Sequence, residues 1–271
     1  MEKFIDVKKL IASKNEKLLK WLPRFVVKWI ERIIHQEEVN EFMSRHHNDD
    51  SNAFCRAIVE EFNLKLNLSG LKNIPLPPQS IIFASNHPFG GLDAIAIVDL
   101  LKDVRPDIKF IVNDLLLNLK TMKDRFIGVN KVGKNATKSL QVVEDQFASG
   151  PATFVFPAGL VSRKTNGKIE DLEWKKTFVT KAKKYGKPVM PVHIDGRLTR
   201  RFYRLANFRK FLGIKLNIEM FFLVDELYKQ KNVRIDIVIG NPIMSNTFTS
   251  ERSDKEWAQW VKEKVYELKK A

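Results

Sequence analysis

The middle of the chain alternates short apolar runs with stretches that have the apolar spacing of helices. The apolar runs predict strands at residues 80–84, 108–112, 152–156 and 188–194, and the helical spacing predicts helices at residues 92–101, 136–148 and 172–185. Strands that alternate with helices in this way form parallel sheets whose faces are covered by helices. The sequence therefore predicts an α/β fold with a mostly parallel mixed sheet covered by helices.

The two ends of the chain extend this pattern. Two further strands are predicted at residues 218–224 and 233–240, and a last helix runs from about Ser253 to Lys269. At the other end, helices are predicted over residues 16–34 and 52–66, and the prolines of residues 70–80 then interrupt regular structure. We predict an N-terminal helical, membrane-associating segment at 1–70 and an α/β domain at 71–271.

The helix predicted over residues 16–34 is strongly amphipathic, with apolar side chains on one face and basic ones on the other. A basic amphipathic helix with tryptophans at its apolar edge is typical of the membrane interface. Trp21, Phe25 and Trp29 are therefore predicted to contact a membrane. The alternative is an ordinary helix that packs its apolar face on the rest of the protein.

Charge and composition limit the partners of the chain. Its 47 lysines and arginines exceed its 32 acidic residues, which gives a net charge of +15 and indicates a polyanionic partner, either nucleic acid or an anionic membrane surface. Cys55 is the single cysteine of the 271 residues, which excludes an internal disulfide and favours a reducing compartment. No secretory leader or membrane-spanning run is recognised, so we expect a peripheral protein on the cytoplasmic face of the membrane.

A histidine, two glycines and an aspartate follow the first predicted strand, within "SNHPFGGLDA" at residues 85–94. Ligands of open α/β sheets gather at the carboxyl ends of strands, where His87 falls. Gly90 and Gly91 allow backbone conformations closed to other residues, so Asp93 can fold back toward the imidazole. Such a pair can take a proton from a substrate hydroxyl or amine. The alternative is that His87 fills a strand-to-helix turn and Asp93 favours a helix N-terminus.

The same stretch resembles the glycerolipid acyltransferases, the relatives of lysophosphatidic-acid acyltransferase. Their hallmark is a histidine and an aspartate, commonly within NHxSxxD, and this chain reads "NHPFGGLD" with one more residue between the two. NHPxGGxD is the form of the branch labelled hemolysin or ornithine-lipid acyltransferase. The resemblance implies the glycerolipid acyltransferase fold, with His87 and Asp93 as catalytic residues. Backbone amides of the turn at Gly90 and Gly91, or near Gly159, are candidate donors to the oxyanion of such a reaction.

A second block, "FVFPAGLVSRK" at residues 154–164, resembles the FPEGTRS block that binds the acceptor's phosphate in this family. The resemblance implies acceptor contacts from Pro157, Gly159, Ser162 and Arg163. Ala158 replaces the usual glutamate, and Val161 stands where the arginine is expected. These departures are compatible with a lysolipid that carries an amino-acid head group.

Two further blocks resemble the family more loosely. "FIGVNK" at residues 126–131 matches a short strand and turn, and Lys131 would then contact an anion of the acceptor. "KPVMPVHI" at residues 187–194 matches an apolar proline block, in which Pro191 would shape a wall of the site. His193 in that block is predicted to be structural.

The resemblance implies an enzyme, a lysolipid O-acyltransferase with a catalytic His–Asp pair beside an apolar slot for a fatty chain. It would transfer a fatty acyl chain from acyl carrier protein or acyl-CoA to a hydroxyl of a lysophospholipid or lyso-aminolipid, without a metal or other cofactor. The expected partners are that donor, the lysolipid and an anionic membrane surface, and nucleic acid is not expected.

Two alternatives to this activity stay open at this point. One is N-acylation of an amine-bearing head group, and the other is a non-enzymatic basic protein that binds nucleic acid or membrane. The second rests on residues 195–210, which mix basic and aromatic residues. The cluster "RHHNDD" at residues 45–50 has ligand-type side chains for a metal, but a solvated polar loop is the favoured interpretation.

Overall fold

The computed structural model describes residues 3–14, 16, 21–129 and 136–270 of the chain. The chain divides into two compact units. The first, which we name the helical unit, consists of Met1–Asp49 and Thr199–Lys231. The second, which we name the sheet unit, consists of Asp50–Leu198 and Asn232–Ala271.

The sheet unit is built on one mixed sheet. Among the described residues this sheet has seven strands: β1 (Lys65–Ser69), β2 (Ile81–Ser85), β3 (Ile108–Asn113), β4 (Phe126–Val129), β5 (Ala152–Val155), β8 (Val189–Ile194) and β9 (Arg234–Ile239). Their order across the sheet is β1-β9-β8-β2-β5-β3-β4. The β8–β9 pair is antiparallel, and the other five neighbouring pairs of these strands are parallel. This confirms the predicted α/β class and the mostly parallel mixed sheet.

The central strands form because their sequences are apolar on both faces. Every residue of β2, β5 and β8 is buried, as expected of parallel strands that are covered by helices on both sides. The edge strand β1 instead alternates exposed and half-buried residues, since only one neighbour, β9, pairs with it. The predicted strands at 80–84, 108–112, 152–156, 188–194 and 233–240 are confirmed to within a residue or two.

Five helices accompany the sheet in this unit: α4 (Ser51–Glu61), α5 (Gly91–Leu101), α6 (Ala136–Ser149), α7 (Thr177–Tyr185) and α10 (Asp254–Glu267), counted over the described residues. α10 begins with a reciprocal cap, in which Ser253 and Glu256 each bond the other's backbone amide. Trp174, Phe178 and Val261 belong to the apolar cluster that α7 and α10 share with the sheet.

A short antiparallel hairpin, β6 (Arg163–Thr165) and β7 (Lys168–Glu170), lies between β5 and α7 and was not predicted. Its strands are polar, so no apolar run marks them. Asn166 and Gly167 join them, and both have positive φ, of 51° and 81°. Asn-Gly is the preferred sequence for a tight hairpin turn, so this dipeptide was the available signal.

The helical unit contains α1 (Val7–Lys14), α2 (Arg24–Ile33), α3 (Gln36–Arg45), α8 (Arg200–Phe211) and α9 (Leu223–Tyr228) among its described residues. α2 follows Pro23 and covers the second half of the helix predicted over 16–34. α8 begins after Thr199, whose hydroxyl and amide both donate to the buried Glu226 at 2.6 Å. None of the described helices is both long enough and apolar enough to span a bilayer.

The strand predicted at 218–224 is wrong. Ile218–Phe222 is a 3₁₀ turn that leads directly into α9. A short apolar run is equally compatible with a strand or a helix, and the acidic Asp225 and Glu226 that follow favour the first turn of a helix. Glu219 is buried and forms an ion pair with Arg209 at 2.8 Å, which also fixes this turn.

The division into units also differs from the predicted boundary at residues 70 and 71. The helix predicted over 52–66 ends at Glu61, and Lys65–Ser69 forms a strand that pairs with Arg234–Ile239. The chain from Asp50 onward therefore belongs to the sheet unit. The helix predicted over 172–185 begins only at Thr177, because the residues before it form a loop that contributes to the site described next.

Candidate active site

The turn that follows β2 is folded around a carboxylate. Gly90 has φ of 84° and ψ of −129°, a conformation that glycine alone adopts readily, and it precedes the first residue of α5. The amides of Phe89 and Gly90 both donate to Oδ2 of Asp93 at 3.0 Å. Because the Gly90 amide is used in this way, it cannot also donate to an oxyanion, which corrects one of the predicted donors. Gly91 stays a prediction.

The structure brings His87 and Asp93 together. Nδ1 of His87 lies 2.8 Å from Oδ2 of Asp93, although five residues separate them in sequence. The remaining ring nitrogen, Nε2, is then the one that can accept a proton. The imidazole stacks on the ring of Phe156, with 3.9 Å between the centroids, and its side chain is 18% exposed. A half-buried imidazole of this kind can reach a substrate and stay oriented.

Burial shapes the electrostatics of this pair. Asp93 is fully buried, and burial raises the pKa of its carboxyl group, while the hydrogen bonds from His87 and from the two amides oppose that rise. Its second oxygen, Oδ1, is buried without a hydrogen-bond partner in the described part of the chain. A buried carboxylate is stabilised most when the imidazole beside it carries a positive charge, because the two opposite charges then offset each other. The buried carboxylate is thus placed to stabilise an imidazolium that forms during a reaction.

The loop after β5 wraps around the dyad. Phe156 opens it against the imidazole, and the amide of Ser162 closes it by donating to the carbonyl of His87 at 2.8 Å. Gly159 lies at its exposed tip with φ of 69°, and Pro157 and Ser162 are buried. The structure thus places three of the predicted acceptor residues in a loop whose two ends contact His87.

One predicted acceptor contact, Arg163, lies inside the loop. Arg163 is buried, and its guanidinium donates to the carbonyl of Val161 at 2.6 Å, so it braces the loop from inside. Lys131 lies outside the described residues. The sequence analysis missed Lys175. Its Nζ lies so close to Gly159 that a Cβ added to that glycine would be 2.6 Å from it. The amide of Lys175 donates to Pro157, which ties this exposed lysine to the loop.

Asp171 is a second buried carboxylate at the site, and the sequence analysis missed it. Its Oδ1 accepts hydrogen bonds from the His87 amide at 3.2 Å and the Ser162 hydroxyl at 2.6 Å, and its Oδ2 accepts one from Nε1 of Trp174 at 2.9 Å. Burial raises the pKa of Asp171. It lies 84 residues from His87 in sequence, so no local motif pointed to it.

A cavity of about 820 Å³ opens beside the turn. Asn86, Pro88 and Ser162 border it, but His87 does not line it. Its charged side chains come from the hairpin, from α10 and the turn that follows it, and from the loop after β8: Lys168, Lys262, Lys269, Asp195, Glu170, Glu263 and Glu267. Because seven of its lining side chains are charged, this cavity does not match the apolar slot predicted for a fatty chain.

The remaining predicted contacts lie in the helical unit. Trp21, Phe25 and Trp29 are 80%, 73% and 51% exposed, as a membrane contact requires. In the cluster at 45–50, Nδ1 of His46 contacts Asp49 at 2.7 Å, and Asp50 caps α4 through the amide of Ala53. No group of three or more metal-ligating side chains occurs in the described ranges.

The chain is similar to known acyltransferases over nearly its whole length. A family model described as acyltransferase matches residues 9–271. The chain is 41% identical over 265 residues to the lyso-glycine lipid O-acyltransferase of Phocaeicola vulgatus and 40% identical over 265 residues to that of Bacteroides thetaiotaomicron. These matches cover 97% of this chain and 95% and 97% of the two relatives.

A solved structure with a similar fold is the 1-acyl-sn-glycerophosphate acyltransferase PlsC from Thermotoga maritima, with a TM-score of 0.50 and 19% identity over 98% of this chain and 94% of that one. The family model and the two relatives at 41% and 40% identity show that the chain belongs to the glycerolipid acyltransferase family. The predictions of an enzyme and of a lysolipid O-acyltransferase are confirmed, and the non-enzymatic alternative is set aside.

Proposed function

We propose that the chain transfers a fatty acyl group from a thioester donor to the hydroxyl of a lyso-glycine lipid, with His87 as the general base and Asp93 as its partner. The 2.8 Å contact between Nδ1 and Oδ2, inside the motif that the family shares, carries this proposal. The acceptor is taken from the printed names of the two relatives at 41% and 40% identity. Their name also specifies O-acylation, which favours an ester over an amide product.

The chemistry follows from the orientation of the ring. Nε2 of His87 takes the proton of the acceptor hydroxyl while the oxygen attacks the thioester carbonyl. The tetrahedral intermediate collapses, the C–S bond breaks, and the imidazolium returns the proton to the leaving thiolate. The ester and a free thiol are the products. The buried Asp93 carboxylate stabilises the imidazolium between these two proton transfers.

The acceptor's head group is proposed to lie over the tip of the loop at Gly159. Ala158 and Val161 remove the glutamate and arginine that the family block has at these positions. Lys175, with its ammonium above Gly159, supplies a cation there. A glycine that is joined to a lipid through its amine keeps one carboxylate, and a single lysine matches that charge better than it matches a phosphate dianion.

The head-group proposal is tested with Lys175→Gln and two acceptors, a lyso-glycine lipid and its methyl ester. We expect the KM for the free acid to rise about tenfold, the typical effect of losing one charged hydrogen bond. The KM for the neutral ester changes little. Equal effects on both acceptors would contradict a carboxylate contact, and Lys176→Gln is the matched exposed-lysine control.

The donor and the membrane surface complete the proposal. Residues 199–231 carry eight basic and three acidic residues and expose several large apolar side chains: Phe208, Phe211, Leu212, Leu216 and Phe221. A shallow groove of about 400 Å³ between Arg201, Arg204 and Phe208 suits an anionic lipid surface. Acyl carrier protein and acyl-CoA are both acidic donors, and we propose that the basic charge attracts either one to the cytoplasmic face of the membrane.

The catalytic proposal is tested with His87→Ala and Asp93→Asn in an assay of thiol release from labelled acyl carrier protein and acyl-CoA. Each substitution should lower kcat by about 10²–10⁴-fold, the usual contribution of a positioned base. His47→Ala, at an exposed histidine, is the matched control and should retain full activity. Normal turnover by the His87 variant would refute the proposed base.

A further inference from the structure

We propose that Asp171 is a positioning residue that holds the main chain of His87 in place for the reaction. This inference rests on the proposed role of His87 as the base. Asp171 lies in the loop between β7 and α7, apart from both motifs that resemble the family. Nothing in its local sequence, "KIEDLEW", marks it as part of a site.

The carboxylate of Asp171 is fully engaged with the segment that carries the base and the loop that covers it. One oxygen accepts from both the His87 amide and the Ser162 hydroxyl, and the other accepts from the Trp174 indole. Asp171 is 4% exposed, so water does not compete for these bonds. Hydrogen bonds to a buried charged group are stronger than those between neutral groups, so these three contacts hold the segment at His87 and the loop at Ser162 firmly.

Asp171 is itself anchored independently of His87. Its amide donates to the hydroxyl of Tyr266 at 2.7 Å, and its carbonyl accepts from Nζ of Lys262 at 2.6 Å. Both partners belong to α10, which packs against the sheet and lies within the same unit. The position of Asp171 is therefore set by the core of the sheet unit, and His87 is aligned to it.

The result is a closed ring of hydrogen bonds around the base. Asp171 accepts from the amide of His87, the Ser162 hydroxyl donates to Asp171, and the Ser162 amide donates to the carbonyl of His87. Both main-chain polar groups of His87 are thereby fixed. A base must keep its nitrogen within hydrogen-bond reach of the acceptor hydroxyl, and small misplacements lower rates strongly.

Asp171 also contributes charge. The charged side chains that contact His87 in the described part of the chain are Asp93, from α5, and Asp171, from the loop after β7. Both carboxylates are buried, and a negative charge close to an imidazole stabilises the cationic form of the ring. A residue that only supported the fold would have no such effect on the protonation of the base.

The experiment is Asp171→Asn, a substitution of equal size. The amide oxygen can still accept from one side, but its NH₂ group cannot accept from the Trp174 indole, and the negative charge is lost. We expect kcat to fall about 10–100-fold with little change in the KM of the acceptor, as for a misaligned reactive group. The acidic limb of the kcat/KM–pH profile should move to lower pH, because one charge that favours the imidazolium is gone. Glu173→Gln, an exposed carboxylate in the same loop, is the matched control.

A purely structural role would lower the whole pH profile in proportion to the fraction of unfolded protein and leave its midpoints in place, and that result would overturn the proposal. So would unchanged kcat. Ser162→Ala provides a second variant if Asp171→Asn does not fold. It removes one bond of the ring and should lower kcat less, and the double variant should lose less than the product of the two single effects. If His87→Ala is active, the proposed function fails; if it is inactive while Asp171→Asn is normal, only the inference on Asp171 fails.

Discussion

The two units of the molecule differ in how many aromatic side chains they expose. In the sheet unit, Phe83, Phe110 and Phe154 are completely buried, and their rings pack together. The ring centroid of Phe154 lies 5.5 Å from that of Phe83 and 5.0 Å from that of Phe110. In the helical unit, Phe211 and Trp21 are 85% and 80% exposed. Apolar surface is normally buried because its contact with water is unfavourable, so a unit that leaves it exposed is adapted to another surface. The sheet unit has its aromatic residues in the core, whereas the helical unit exposes several that are available for binding.

The largest expected effect tests the stability side of this comparison. Phe154→Ala removes a ring from the centre of the stack and should lower the free energy of unfolding by about 3–5 kcal/mol, the usual effect of truncating a buried phenylalanine. Phe211→Ala, the same substitution in the helical unit, should change it by less than about 0.5 kcal/mol. Urea unfolding of both variants measures the difference, and similar losses would contradict the contrast.

A smaller effect comes from the buried histidine of β8. His193 is 2% exposed, and burial lowers its pKa from the usual 6.5 to about 4. Between these values the unfolded chain binds a proton that the folded chain does not, so the free energy of unfolding falls as the pH falls from 6.5 to 4. The loss reaches up to about 3 kcal/mol. Urea midpoints across this range measure it.

The matched variants separate this histidine from other titrating groups. His193→Phe keeps an aromatic ring against Tyr266 and cannot titrate, so it should flatten the dependence between pH 6.5 and 4. His47→Gln, at an exposed histidine of the helical unit, should leave the slope as it is in the unmodified chain. A slope that persists in His193→Phe would assign the loss of stability to another group.

The smallest expected effect per residue tests the binding side. Phe208→Ser combined with Phe211→Ser should weaken flotation on vesicles of anionic phospholipid about tenfold per ring removed, the value of a partly buried phenylalanine. Phe25→Ser and Trp29→Ser on α2 should act similarly. Unchanged binding in all of these variants would show that the exposed aromatic residues have another purpose.

Exposed apolar residues of the sheet unit serve as the control for this test. Leu76 and Met244 are 64% and 53% exposed, and their substitution by serine should leave vesicle binding intact. Raising the salt concentration should weaken binding of every variant, because charge attraction to anionic lipid is screened. An equal loss of binding in the sheet-unit variants would remove the distinction between the two units.

The parts of the structure that sequence could predict are those with local causes. The strands β2, β5 and β8 are continuous apolar runs, and buried parallel strands have this composition. His87 and Asp93 lie within one turn, so their contact follows from a short loop around Gly90. The resemblance to a known family then gave the chemistry.

The parts that escaped prediction depend on distant residues or on ambiguous patterns. Asp171 and Lys175 reach the site through a loop whose path is set by the hairpin and by α10, and nothing local in the sequence specifies that path. The run at 218–224 is mostly apolar, which is compatible with a strand or a helix. It pairs with no described strand and is helical. The polar strand β1 forms because β9 lies beside it, which the sequence of β1 alone does not reveal.

The side-chain amide of Asn86 exchanges two hydrogen bonds of 2.8 Å with the main chain of Ile194, 108 residues further along. The position of His87, next to Asn86, therefore depends on strand β8, which is synthesised long after His87. A nascent chain that stops before that segment carries the complete motif yet lacks its geometry. The position of the motif is thus completed by a contact between residues that are far apart in the chain.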